Sequence, residues 1–218
     1  MKILVLLLSI CPTLTAFAQT PEGQVRPQPF IRIERATGNS FFLFSTNDHH
    51  YAIRHDGLAE SNYLEKHHRR TFRLKVSRGA RLERLYVAEF QDDLILAFEV
   101  TDGGWGWSYV ARLNETARKF RWVTPITGIN LGPGLIEDGS VYLTAQNLLA
   151  KLDLHSGTYT WQREVDKQDA PAFAEFQLPE IHGERATFHE NGQRRRVIEI
   201  DKSTGEIRKV ISGRALTP

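Results

Sequence analysis

The sequence is poor in the residues that usually announce chemistry. It holds one cysteine, Cys11, among 218 residues. That cysteine falls in a segment expected to be removed, so the mature chain has no thiol. Disulfides, thiol catalysis and cysteine-ligated zinc are thereby excluded. No charge of one sign dominates: Lys+Arg is 28, Asp+Glu is 26 and the net charge is +2. There is thus no global signal for nucleic-acid binding. Past the first eighteen residues no run is apolar enough to cross a hydrocarbon core of ~30 Å. Gly-x-Ser-x-Gly, phosphate-loop and dinucleotide fingerprints are missing. The one glycine-rich stretch, Gly103-Gly104-Trp105-Gly106-Trp107, has no helix after it and cannot cradle a nucleotide. No segment carries helical periodicity over a full helix length.

What remains is an ordinary globular composition, 41% hydrophobic and 25% charged. A chain of this length can bury about 70% of its unfolded surface without a staple. Met1-Lys2, an apolar run from Ile3 to Ile10, Pro12 and Ala16-Phe17-Ala18 follow the order of a secretory signal peptide. Cleavage is expected after Ala18, leaving 200 residues with net charge +1. Leu8-Ser9-Ile10-Cys11 falls short of a lipobox because Ile10 is not small. The expected organisation is a signal peptide over residues 1–18, a flexible leader over 19–29 containing Pro21, Gly23, Pro27 and Pro29, and one domain over 30–218. The style of the signal points to a Gram-negative periplasm, or to full secretion.

From residue 30 onward, short runs rich in Val, Ile, Phe, Tyr and Thr alternate with Gly, Asp, Asn and Pro clusters. Strands are expected at 41–45, 51–54, 71–76, 85–90, 94–101, 108–113, 119–124, 140–144, 149–154, 158–164, 186–189, 197–200 and 207–211. Asp102-Gly103-Gly104, Asp138-Gly139, Ser156-Gly157, Asn191-Gly192 and Thr204-Gly205 supply the turns, since Asx and Gly tolerate the positive φ of tight hairpins.

Three hairpins share a pattern. Asp153-Leu-His-Ser156-Gly157 leads to Trp161. Asp201-Lys-Ser-Thr204-Gly205 leads to Lys209. Asn114-Glu-Thr-Ala117, without the glycine, leads to Trp122. The Asx positions are 39 and 48 residues apart. A period of ~40–50 residues of strands and turns points to propeller blades, each a four-stranded antiparallel sheet. The Asx side chain can accept backbone N–H bonds across its turn, and Gly157 and Gly205 supply a left-handed conformation. Trp122 and Trp161 present flat surfaces too large for one blade to bury, so each should dock on a neighbour.

Asp-x-x-Ser/Thr-Gly-x-x-x-Trp in an exported all-β chain resembles the repeat of the pyrroloquinoline-quinone-like (quinoprotein-like) β-propellers. The resemblance covers residues 85–211. It implies an all-β fold, a β-propeller-like array of about four blades at ~45 residues each, open to completion by a second copy. It implies Asn114, Trp122, Asp153, Gly157, Trp161, Asp201 and Gly205 as structural repeat positions. In the family the residue two before the aspartate is usually alanine, whereas here it is Lys151. The family includes quinone-dependent dehydrogenases and non-enzymatic envelope scaffolds. The adjacent-cysteine disulfide common in the dehydrogenases is absent, so no catalytic residue and no cofactor is assigned.

Two surfaces are candidates for partner binding. Trp105, Trp107 and Tyr109 are two apart, so on a strand they share one face. Residues 66–84 carry eight Lys and Arg against Glu83 alone, with Arg73 and Lys75 on one strand face. Arg194-Arg195-Arg196 is a smaller basic cluster. Histidines gather at Asp48-His49-His50, His55-Asp56 and His67-His68, with no spacing that matches a metal site, so no metal ligand is assigned. The reading is an exported non-enzymatic protein that binds another envelope or secreted protein, as a scaffold or a periplasmic inhibitor, with no nucleic acid and no transmembrane segment. The alternative is a small-ligand or metal-binding degenerate quinoprotein-like protein.

Overall fold

A computed structural model describes residues 27–34, 41–45, 50–54, 61–66, 69–75, 81–102, 105–114, 117, 119–165, 175–191 and 195–213. In the stretch from 41 to 75 only Phe42 is described at the side-chain level. The described residues are all-β, in four antiparallel sheets that follow one another along the chain. The first sheet is β3 (Phe41–Ser45), β4 (His50–Arg54), β5 (Ser61–Lys66) and β6 (Arg69–Lys75). The second is β7 (Arg81–Phe90), β8 (Asp93–Asp102), β9 (Trp105–Asn114) and β10 (Lys119–Ile126), with β2 (Ile31–Arg32) on the free edge of β7. The third is β11 (Leu135–Glu137), β12 (Ser140–Ala145), β13 (Leu148–Asp153) and β14 (Tyr159–Glu164), with β1 (Gln28–Pro29) on β11. The fourth is β15 (Glu175–Phe176) and β16 (Glu180–His182), both on β17 (Arg185–Asn191), then β18 (Arg196–Asp201) and β19 (Ile207–Ser212). Four consecutive up-and-down sheets are the blade arrangement of a propeller-like array.

Burial explains why the strands read as they do. β8 is buried on both faces. Leu94, Leu96, Phe98 and Val100 pack in one core cluster with Leu82, Leu85 and Phe42. Ile95 and Ala97 pack in another with Val141, Leu143 and Ala150 of the third sheet. A strand covered on both sides reads as a continuous apolar run. A third cluster joins Tyr142, Leu149 and Trp161 to Phe176, Phe188, Ile198 and Ile200 of the fourth sheet. There β17 and β18 alternate, because only one of their faces is covered.

Some elements were not legible. β5 carries Ser61, Asn62, Glu65 and Lys66 and is a strand because β4 and β6 flank it. β11, β15 and β16 are two or three residues long. Gln28 and Pro29, expected in the leader, pair with Ile136 and Leu135, and Ile31 and Arg32 pair with Val87 and Tyr86. Phe30 between them donates its N–H to Gly134 O at 2.8 Å and is buried. The segment thus straps the inner edges of the second and third sheets together. The rest of the expected leader and the signal segment lie outside the described residues.

The repeat turns knit consecutive sheets. Asp153 Oδ1 accepts the Ser156 N–H at 2.7 Å and the Gly157 N–H bonds Asp153 O at 2.8 Å. Asp201 Oδ1 accepts Ser203 and Thr204 N–H groups, each at 2.9 Å, and Gly205 N–H bonds Asp201 O at 2.8 Å. These bonds hold both carboxyls below the ordinary carboxylate value. Trp122 lies over the second turn: a Cβ at Gly157 would be 2.5 Å from its ring, and its indole N–H donates to Leu154 O at 3.2 Å. Trp161 does the same at the third turn, against Gly205 and with Lys202 O at 3.1 Å. A second donor accompanies each indole. Arg112, two residues before Asn114, reaches Leu154 O at 3.1 Å, and Lys151, two before Asp153, reaches Lys202 O at 3.1 Å. Lys151 is therefore part of the seam between sheets. In the last sheet Lys209 replaces the indole and Glu199 replaces the second donor, and β19 is exposed throughout.

Candidate functional site

β7, β8 and β9 are the longest strands among the described residues, ten residues each. Measured back from the Asx position, β9 runs 10 residues, whereas β13 and β18 run 6. The four extra residues extend the hairpin by about 14 Å at the strand rise of ~3.4 Å per residue. Trp105 and Trp107 stand on that extension, 75% and 40% exposed. Trp105 pairs with Asp102, Trp107 with Val100 and Tyr109 with Phe98. Tyr109 stacks on Phe98 with centroids 5.4 Å apart and 23° between planes. The pairing of β10 with β9 ends at Ile126↔Ser108, so the backbone from Trp105 to Trp107 forms a sheet edge. Next to the indoles on the same face, Pro125 pairs with Tyr109 and Val123, 46% exposed, pairs with Ala111.

The extension is backed from behind. Gly106 points to the opposite face, where a Cβ would overlap Ile129 Cγ2. Ile129 sits in the loop 127–134, which is itself held by Glu99: the Leu131 N–H donates to Glu99 Oε2 at 2.9 Å. The four tryptophans thus divide into two kinds. Trp122 and Trp161 have their N–H groups satisfied across a seam. The indole N–H groups of Trp105 and Trp107 have no hydrogen-bond partner among the described residues; Trp105 lies largely in solvent and Trp107 is partly covered.

The basic segment is less uniform than its composition. Arg73 and Lys75 lie on β6, across from Tyr63 and Ser61, and no described contact brings them to the indole face. Arg84 is no part of a solvated strip. It turns inward between Glu99 at 3.4 Å and Glu175 at 2.5 Å, and also reaches Asn130 Oδ1 at 3.3 Å. Burial works against its charge, but the hydrogen bond and attraction from Glu175, with Glu99, outweigh this and raise its pKa above the ordinary guanidinium value. This junction of the second sheet, the loop 127–134 and the fourth sheet was invisible in the sequence, because its members are up to 91 residues apart. Arg196 likewise leaves the expected basic cluster: it is buried in a two-point pair with Glu190, at 2.6 and 3.0 Å. Arg194 lies outside the described residues.

Of the clustered histidines, only His50 is among the described residues, in β4. Elsewhere Glu180 stands between His182 at 3.7 Å and His189 at 3.6 Å on the outer face of the fourth sheet. No group of three His, Cys, Asp or Glu among the described residues is arranged to hold a metal ion.

No family model matches the sequence, and no curated protein does. Solved structures do resemble the fold. The quinohemoprotein alcohol dehydrogenase from Comamonas testosteroni is similar over 58% of this chain and 20% of its own, at 15% identity and TM-score 0.47. A europium-containing methanol dehydrogenase is similar over 62% of this chain and 27% of its own, at 14% identity and TM-score 0.42. Apo AztD from Citrobacter koseri is similar over 79% of this chain and 59% of its own, at 7% identity and TM-score 0.40. The chain spans between a fifth and three-fifths of the length of these proteins, and the likeness concerns the arrangement of sheets. Chemically, the extension offers two flat apolar faces, two indole N–H donors and an unpaired strand edge.

Proposed function

We propose that the chain is an exported, non-enzymatic binding module whose contact surface is the extended β8–β9 hairpin, with Trp105 and Trp107 as anchors and Tyr109 as their support. The observation that carries this reading is the contrast between the two latched indoles and the two free ones. An exposed tryptophan with an unsatisfied N–H gains both apolar burial and a hydrogen bond on contact, which is why indoles concentrate at interface hot spots. Export rests on the sequence of residues 1–18. Sequencing the N-terminus of the mature protein should begin at Gln19.

The test is the double substitution Trp105→Ala with Trp107→Ala, read by cross-linking in the native cell and by thermal unfolding. Partner recovery should fall by about 30-fold or more, as for loss of a hot spot of ≥ 2 kcal/mol. The unfolding midpoint should hold, because neither indole joins a core cluster. Undiminished recovery would refute the assignment of the surface. A collapse of the fold would place the indoles in the structural framework.

A further inference from the structure

Resting on that reading, we infer that Arg84 and Glu175 are positioning residues for the indole surface: through the loop 127–134 they fix where Ile129 stands behind Gly106, and so tie the placement of Trp105 and Trp107 to the fourth sheet. The contacts lie at two levels on one face of the second sheet. At the first level Arg84 is paired across the strands with Glu99, and Glu99 with Ser108. Two residues further along, Thr101 is paired with Gly106. The loop follows the same direction. Leu131 stands at the first level. Its N–H donates to Glu99 Oε2 at 2.9 Å, and its carbonyl accepts Arg84 Nη1 at 3.4 Å and the Tyr86 hydroxyl at 3.2 Å. Ile129 stands at the second level, against Gly106. Two strand residues rise about 7 Å, so a clamp on Leu131 is one step from the backbone that carries the indoles.

The loop's backbone is tied to the third sheet: Ile129 O accepts the Gln146 N–H at 2.6 Å, and the Gly132 N–H donates to Thr144 O at 2.9 Å. Its polar contacts with the second sheet are made by Leu131 and by Asn130, whose Oδ1 accepts Arg84 Nη2 at 3.3 Å. Asn130 is buried with φ 57°, a left-handed value that asparagine tolerates. The same Nη2 donates to Glu175 Oε1 on β15 at 2.5 Å, and Arg84 Nε lies 3.4 Å from Glu99 Oε2. One guanidinium therefore touches the second sheet, the loop and the fourth sheet. Its planar fork holds several partners at fixed angles, which a lysine ammonium on a flexible stem does not. Neutralising Glu175 removes one of the two carboxylates that draw Arg84. The balance then moves toward Glu99 and away from Asn130, and the loop loses part of its hold at the level below Ile129.

The experiment uses the full exported chain labelled with 5-fluorotryptophan, its four fluorine resonances assigned by single Trp→Phe substitutions. The variants are Glu175→Gln, Arg84→Lys, Ile129→Ala and the pair Glu175→Gln with Ile129→Ala. Glu175→Gln and Arg84→Lys should shift the resonances of Trp105 and Trp107 and leave that of Trp122 in place. The effect of Glu175→Gln should vanish when Ile129 is already alanine, because the two act through one contact. Recovery of a cross-linked partner should fall by about fivefold, the scale of coupling through packed contacts. Unmoved Trp105 and Trp107 resonances would overturn the inference. So would a change confined to Trp161, which shares a core cluster with Phe176 beside Glu175. An equal change at all four indoles in both single variants would overturn it in favour of a general structural role. Shifted Trp105 and Trp107 with undiminished recovery would uphold the positioning and refute the binding-module reading.

Discussion

At the scale of single residues, the molecule is held by pairs that only one residue type can satisfy. Gly157 and Gly205 have φ of 73° and 71°, and each lies under an indole. Gly205→Ala adds backbone strain and a methyl group inside the Trp161 ring contact. It should cost more than about 1 kcal/mol, read by chemical denaturation. Trp161 is buried between Tyr142 and Phe188, at centroid distances of 6.3 and 6.5 Å. Trp161→Ala should cost about 3–5 kcal/mol. Lys151 adds a charged donor at the same seam, and Lys151→Met should cost about 1 kcal/mol, the ordinary net worth of one hydrogen bond. The repeat itself marked Asp153, Gly157 and Trp161 in the sequence. Lys151 was visible only as a departure from the family pattern. Its partner, the carbonyl of Lys202, is 51 residues away and is a backbone atom, which leaves no mark on composition.

At the scale of elements, length and covering decide what each hairpin does. The alternation of Trp105, Trp107 and Tyr109 put them on one face by strand geometry alone. Their exposure depended on the neighbours: β10 stops at Ile126 and leaves the first part of β9 as an edge. The same hairpin depends on Gly106 for its backing. Gly106→Val should displace Ile129 and tilt the tip, weakening partner binding while the far-ultraviolet circular dichroism remains that of a β protein. The strap formed by β1 and β2 is a second element whose role is tertiary. Removing residues 19–33 exposes the inner edges of β7 and β11 and the sites of Phe30 and Ile33, so the midpoint of thermal unfolding should fall by several degrees. Proline-rich composition pointed to a leader. Pro29 is tolerated in β1 because an edge strand can do without one N–H.

At the scale of the whole molecule, the sheets are coupled through the repeat turns, and ionised carboxylates hold those turns and their neighbouring strands in shape within each sheet. Asp153 and Asp201 are ionised below the ordinary carboxylate value by bonds from their turns. Asp93 is too, since hydrogen bonds from Arg121, Asn114 and Arg112 outweigh the effect of burial. A carboxyl with a lowered folded-state pKa contributes stability above its unfolded value, here 3.8, and loses it as pH falls through the folded value. Stability from these groups should therefore be flat above about pH 5 and decline steeply below pH 4, with one cooperative transition followed by tryptophan fluorescence. The fourth sheet lacks the seam donors of the earlier ones. It has Lys209 and Glu199 where the earlier sheets place their donors, and Arg185, Glu180 and His182 face outward. β19 itself also exposes Ile207, Val210 and Ile211.

By itself the sequence determined the all-β class, the turn chemistry and the spacing of the blades. These are set by properties local to a few residues: strand alternation, positive φ at glycine, and Asx side chains folding back on their own turns. Tertiary structure alone decided which arginines are surface and which are buried. Arg84 and Arg196 read like their solvated neighbours until Glu175 and Glu190 are brought against them. It also decided which tryptophans are latches and which are free. An indole is equally apolar in either role. Only the presence or absence of a neighbouring sheet over its face distinguishes Trp122 and Trp161 from Trp105 and Trp107.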